Sequence, residues 1–218
     1  AELGVTRTQS HGIATRGQRL VLVVADLQVN GEGPEPFSAT ILTVAELDAD
    51  EQVAAFIVFD SNDLEAAVTE LDARYLAGEA AAYAPTWSAI TRAYAAFNRR
   101  ELAATTADWV NVDHRRTMSW EPGDLTAFIR AGWASELRNT LIVETVHALN
   151  SAGAVVTQVA HATAASGLVA EWREIALVGI AGDLLSRMEI FDEDDLNVAL
   201  ARFAELPLEA GSLENAAS

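Results

Sequence analysis

Two side chains on separate strand-like stretches could carry acid–base chemistry: His161 within residues 154–163 and Glu189 within 183–191. The first stretch alternates Val155, Thr157, Val159 and His161 on one face with Val156, Gln158, Ala160 and Ala162 on the other, which sets the imidazole in line with branched apolar residues. Imidazole titrates near neutrality. Oriented by Glu189, it would serve as general base for abstracting a proton beside a carbonyl or for activating water. Asn111 or Tyr94 would then donate to a developing oxyanion. The plainer reading of His161 is a hydrogen-bonded core residue. Glu189 is in phase with Arg187 and Phe191, so it either enters a pocket or pairs with Arg187 on the outer face. Among the other histidines, His114 falls near a rim, His147 lies on the opposite face of 139–149 from Glu144, and His11 is structural.

These residues need elements to position them, and the sequence supplies two β-meanders. Strands near 5–14, 19–29, 37–46 and 52–59 form the first, and strands near 139–149, 154–163, 168–179 and 183–191 the second. Both end on the same pattern, Phe59-Asp60 and Phe191-Asp192 followed by further acids and then Leu64 or Leu196, which reads as an internal repeat. The aspartate at each junction can cap the helix that follows. Between the meanders the pattern turns helical. Thr86 can cap a helix through Asn98 with Trp87, Ile90, Tyr94 and Phe97 on one side, and a short helical turn is expected at Arg100–Ala104. A strand at 108–114 places Asn111 and Asp113 on one face. Pro122-Gly123-Asp124 then opens a helix carrying Leu125, Phe128, Ile129 and Trp133. This order is that of an α+β fold.

Composition narrows the functions open to such a fold. The 218 residues are 50% hydrophobic and carry 32 acidic against 14 basic side chains, a net charge of −18 at pH 7. That field opposes phosphate backbones and anionic lipid surfaces, so neither nucleic acid nor membrane is an expected partner. Every basic residue is arginine and there is no cysteine, which removes lysine Schiff bases, thiolate nucleophiles and zinc–thiolate sites. The four histidines show no paired ligand spacing, so no histidine metal site is implied, while the many acids leave a carboxylate-rich one open; Gly31-x-Gly33 is too short and too acidic for a dinucleotide loop, and no cofactor is implied. A cytoplasmic location fits. The start Ala1-Glu2-Leu3-Gly4 lacks the layout of a signal peptide and fits a processed chain or a piece of a longer polypeptide.

With Asp108-Trp109-Val110-Asn111-Val112-Asp113-His114 after the first helices and Arg187-Met188-Glu189-Ile190-Phe191-Asp192 on the last strand, the chain resembles the nuclear transport factor 2-like superfamily. Its members include ketosteroid isomerases, SnoaL-like cyclases and limonene epoxide hydrolases. The strings Arg74–Glu79 and Asn98–Leu102 are also similar to tandem modules of actinobacterial signalling proteins. The resemblance implies a cystatin-like curved antiparallel sheet with helices closing a pocket over residues 80–206. Before it, residues 1–79 form a partial repeat of four-strand meander plus helix, and 207–218 form a tail. It further implies a small apolar ligand in that pocket, with Asn111, Asp113, Tyr94, Trp87 and Trp133 as ligand-binding candidates beside His161 and Glu189.

The epoxide hydrolase arrangement, an arginine bridging two aspartates, puts Val159 at the arginine and His161 at one aspartate, so that triad is broken along 154–163. The ketosteroid isomerase donor tyrosine and base aspartate have no clear counterparts, with Tyr94 and Asp113 as stand-ins. Isomerase, cyclase and hydrolase chemistry all stay open. So does a non-catalytic ligand-sensing or assembly module, whose pocket would be filled by Trp87, Trp133 and Phe128. A bare meander exposes its core-facing side, which leads to an expected homodimer or intramolecular pseudo-dimer.

Overall fold

The computed structural model describes residues 4–30, 37–117, 120–135, 138–163 and 169–207. The chain divides into two compact units, Ala1–Ala82 and Tyr83–Ser218.

In the first unit, strands β1 (Gly4–Arg16), β2 (Leu20–Asn30), β3 (Phe37–Leu47) and β4 (Val53–Asp60) make an antiparallel sheet in sequence order. Helix α1 (Leu64–Ala77) packs on β2 and β3. Leu22 of β2, opposite Val44 of β3, and Leu42, two residues before Val44 on the same strand, share the face that α1 covers with Ala67, Leu71 and Tyr75, and all are buried. Arg16 is 1% exposed, and its Nε donates to Asp72 Oδ1 of α1 at 2.6 Å. A guanidinium leaves water only with a carboxylate to meet it, so this pair ties the end of β1 to the helix.

The second unit opens with α2 (Ala84–Asn98) and strand β5 (Thr105–Asp113), followed by α3 (Leu125–Ala134). Strands β6 (Arg138–Asn150), β7 (Gly153–Thr163), β8 (Val169–Ala181) and β9 (Leu184–Asp192) and helix α4 (Leu196–Ala204) complete it. The sheet order is β5-β9-β8-β7-β6, antiparallel except for the parallel pairing of β5 with β9. Register shifts in β6 after Val143 and Val146 are bulges of the kind that bend a strand, and the sheet curves. The α2 helix contacts β6 to β9, while α4 packs on β7, β8 and β9. On the α4 side Val155, Ile175, Leu177, Phe191, Ala199 and Phe203 form one buried cluster. On the other side Trp87 and Ile90 of α2 are fully buried. Strand β7 is therefore covered on both faces, and residues 153–160 are all buried. That double burial explains its nearly continuous apolar sequence.

Local expectations fail where a long-range contact takes over a polar group. The α2 helix begins at Ala84, with Pro85 in its first turn, and Thr86 lies inside it, donating to the Ser151 carbonyl at 3.3 Å. Residues 101–104 are not helical, and Arg100 holds a positive φ of 61°. Neither junction aspartate caps a helix. Asp60 accepts hydrogen bonds from the backbone and side chain of Asn62, and Asp192 binds Arg116 at 2.8 Å. No described helix is long and apolar enough to cross a membrane.

Candidate functional site

A cavity of about 400 Å³ lies in the second unit between α2, α3 and the sheet face opposite α4. Its walls follow from strand parity. Gln158 and Ala160 of β7, Trp172 and Glu174 of β8, and Met188 and Ile190 of β9 are the in-facing set, each two residues from the next. Tyr94 and Phe97 come from α2, and Phe128 and Trp133 from α3. Trp109, Trp120 and Trp172 bring the indoles around the cavity to four. Such a space, mostly apolar and rich in aromatic rings with a few polar groups, has the size and character of a small-molecule site.

Four of the polar groups, on Tyr94, Gln158, Glu174 and Arg115, form one connected chain. Tyr94 Oη donates to Gln158 Oε1 at 2.5 Å, and Gln158 Nε2 donates to Glu174 Oε1 at 2.5 Å. The other carboxylate oxygen, Glu174 Oε2, accepts from Arg115 Nη1 at 2.5 Å. Arg115 also grips Asp113 with Nε at 3.0 Å and Nη2 at 2.9 Å. Its guanidinium lies 5.2 Å from the Trp120 ring centroid, an additional cation–π restraint. Glu174 is 7% exposed. Burial pushes its carboxyl above the ordinary glutamate value, and the attraction of Arg115 with the Gln158 hydrogen bond only partly offsets this. With both carboxylates ionised, the Asp113–Arg115–Glu174 group carries one net negative charge.

The expected residues distribute themselves differently. Tyr94 and Trp133 line the cavity. Trp87 is fully buried in the packing between α2 and the sheet. Asn111 is buried, and its Oδ1 accepts from the backbone amides of Gly123 at 3.0 Å and Leu125 at 3.1 Å, so it anchors the start of α3. Asp113 acts on the cavity through Arg115. His161 and Glu189 both lie on the α4 side of the sheet, away from the cavity. His161 Nδ1 is 3.4 Å from Glu171. Glu189 is 1% exposed and receives His114 Nε2 at 2.7 Å, Arg187 Nη1 at 2.5 Å and Arg202 Nε at 2.7 Å. The structure does not bring the two together: Glu189 stands opposite Leu177, and Leu177 opposite Val155. His161 is six residues farther along β7, roughly 20 Å away at the usual strand rise. His114, expected at a rim, stacks on Phe191 at 4.5 Å between centroids.

An arginine spanning two carboxylates is present after all, as Asp113–Arg115–Glu174, but assembled from the end of β5 and from β8 rather than along β7. Arg115 reads in sequence as ordinary polarity after a strand. Glu174 heads the apolar run Ile175–Ile180, and that is the only sequence signal for either. Among the described residues, no group of three or more histidine, aspartate or glutamate side chains is placed to hold a metal ion.

No protein-family profile matches the chain, and no curated protein sequence does. The solved structures it is similar to include SnoaL-like and related small α+β proteins. AclR from Streptomyces galilaeus, a candidate hydroxylase, shares 15% identity at a TM-score of 0.42, over 57% of this chain and 99% of that one. A SnoaL-like polyketide cyclase candidate from Jannaschia sp. CCS1 shares 15% at 0.39, over 58% and 96%. The BvnE pinacolase of Penicillium brevicompactum shares 18% at 0.37, over 54% and 92%.

Proposed function

We infer that the second unit binds a small, largely apolar molecule in its aromatic cavity and performs general acid–base chemistry on it with Glu174 as the proton-transferring group. The observation that carries this reading is the buried chain Tyr94–Gln158–Glu174–Arg115, which ends in a carboxyl whose proton affinity is raised. A carboxylate with a raised pKa is a stronger base than a solvated one, and it is held here in one orientation by Gln158 and Arg115. Its roles are abstraction of a proton beside a carbonyl or activation of water, as isomerase, cyclase and hydrolase chemistries require. Asp113 positions Arg115, and Tyr94 positions Gln158. The chemistry moves from the His161–Glu189 pair to Glu174 because only the latter faces the cavity.

The test is a thermal-shift screen of the purified chain against neutral ketones, epoxides and hydroxylated aromatics, since a ligand specific to the folded state raises the melting temperature. Each stabilising ketone is then incubated in deuterium oxide with the wild type and with Glu174→Gln, and exchange of protons beside the carbonyl is followed by NMR. General-base catalysis predicts exchange that is slower by about 10²–10⁴-fold in the variant. The wild-type rate should rise through a pKa above the ordinary 4.5. Ligands that bind but are turned over equally by both proteins leave the alternative, a non-catalytic ligand-sensing module. A folded protein that responds to none of the panel points instead to an assembly domain.

A further inference from the structure

The two β-meanders match position for position where they end. Phe59-Asp60-Ser61-Asn62-Asp63-Leu64 closes β4 and enters α1, and Phe191-Asp192-Glu193-Asp194-Asp195-Leu196 closes β9 and enters α4. In the second unit β5 lies parallel beside β9, with Asn111 opposite Met188 and Asp113 opposite Ile190. Three residues further on, Arg116 reaches back to that junction, with Nε 2.8 Å from Asp192 and Nη2 3.5 Å from Asp195. In the first unit Phe56, Val58, Asp60 and Asp63 stand at the positions of Met188, Ile190, Asp192 and Asp195. Among the described residues no strand lies beyond β4, and neither aspartate has a cationic partner: Asp60 accepts from Asn62, and the Asp63 side chain makes no capping bond. Val53, Phe56 and Val58 are 64%, 63% and 51% exposed. Val53–Asp60 holds no basic residue and no proline, which are among the devices that blunt a sheet edge.

We propose that β4 is a docking edge for an extended segment of another protein, which adds as a parallel strand, lays apolar side chains over Phe56 and Val58, and sets an arginine three residues further on against Asp60 and Asp63. In such strand addition the backbone supplies the pairing and alternate side chains supply the selectivity. The β5 strand on β9 shows the geometry the partner adopts. It carries Asn111 and Asp113 because the first anchors α3 and the second holds Arg115. A partner over Phe56 and Val58 has neither task, so apolar residues take those two positions and bury what is exposed. A second copy of this chain fits less well. Two β4 strands paired antiparallel bring Asp50 and Glu51 of one copy toward Asp60 and Asp63 of the other, in a chain that already carries −18. Like charges across a strand pair repel, whereas an arginine at that end is attracted.

The probe is a synthetic peptide of residues 104–117 carrying Asn111→Val and Asp113→Val, labelled with a fluorophore and titrated with the intact chain by anisotropy. A second peptide carries Arg116→Glu in addition. The wild type should bind the first about 5-fold more tightly than the second, and added salt should narrow the difference. Hydrogen exchange should slow over Val53–Asp60 in the complex. In the chain, Asp60→Asn combined with Asp63→Asn should erase the preference between the peptides, and Phe56→Thr should weaken both about 5-fold. All three side chains are exposed, so these variants should keep the fold, which circular dichroism checks. Absence of binding to the folded wild type, protection elsewhere than β4, or an arginine preference that survives the aspartate changes overturns the proposal. So does a wild-type dimer in sedimentation that Phe56→Thr converts to monomer, because β4 then serves a second copy.

Discussion

Replacing Glu189 by glutamine removes one charge from a position where two guanidinium groups and an imidazole converge, while keeping the size of the side chain. Glu189 is 1% exposed, but its partners are not. His114, Arg187 and Arg202 keep 30%, 31% and 42% of their side-chain exposure. Breaking a wholly buried pair costs about 3–5 kcal/mol. Here water can reach these partners, and glutamine still offers a carbonyl oxygen, so the expected loss is about 2 kcal/mol at pH 7. Urea unfolding followed by tryptophan emission measures it. The five tryptophans, Trp87, Trp109, Trp120, Trp133 and Trp172, all fall in Tyr83–Ser218, so the signal reports the second unit alone. The pH dependence is a sharper check. Burial would raise the Glu189 carboxyl, but hydrogen bonds from His114, Arg187 and Arg202 outweigh it and hold the group below 4.5. A depressed carboxyl contributes stability that is complete above its unfolded pKa and is lost as pH falls through the folded one. The gap between wild type and Glu189→Gln should therefore shrink as pH falls below about pH 4.5. Titrations of groups outside the cluster are common to both proteins and cancel. A gap under about 0.5 kcal/mol at pH 7, or one that does not narrow by pH 3.5, would refute this account of the cluster.

Three further outcomes follow from particular contacts. Gly153 has φ +152°, and a Cβ there would lie 2.0 Å from the Val178 carbonyl oxygen, so Gly153→Ala should destabilise by more than about 3 kcal/mol or fail to give soluble protein. Asp72→Ala strips the buried Arg16 of its carboxylate partner and should cost the first unit about 3 kcal/mol. That loss will be visible in circular dichroism or hydrogen exchange but silent in tryptophan emission. Tyr94→Phe leaves the buried Gln158 Oε1 without its donor and should cost about 1–2 kcal/mol in the same tryptophan-monitored unfolding.

The strands were legible because β-structure writes itself in short-range alternation and turn residues, and all eight meander strands begin and end within a few residues of their expected limits. The pocket was not legible, for a reason visible in β7. Alternation separates Val155, Thr157, Val159 and His161 from Val156, Gln158 and Ala160, but both sets are buried apart from His161, and hydrophobicity cannot say which helix covers which. His161 stands on the α4 face of the strand, and Gln158, of the other parity, carries the polar group that reaches the cavity. Arg115 escaped notice because its partner Glu174 is 59 residues away. Asn111 and Asp192 show the same limit, since each has the right chemistry for a cap or a site and each is directed by a residue distant in sequence. Asp60 is instead taken by Asn62, two residues on.

The two-sided burial of β7 has a consequence for how this chain tolerates change. Substitutions at odd positions from Val155 are felt by α4, those at even positions from Val156 by the cavity, so the two faces can drift independently. A single-residue insertion or deletion between Gly153 and Ala160 cannot be partitioned that way, because it exchanges the faces wholesale. Thr157 would turn toward Tyr94, Gln158 would be driven into the hydrophobic packing of Val155, Leu177 and Phe203, and both the scaffold and the site would be lost in one step. Length variation should accordingly be confined to the turns flanking this strand.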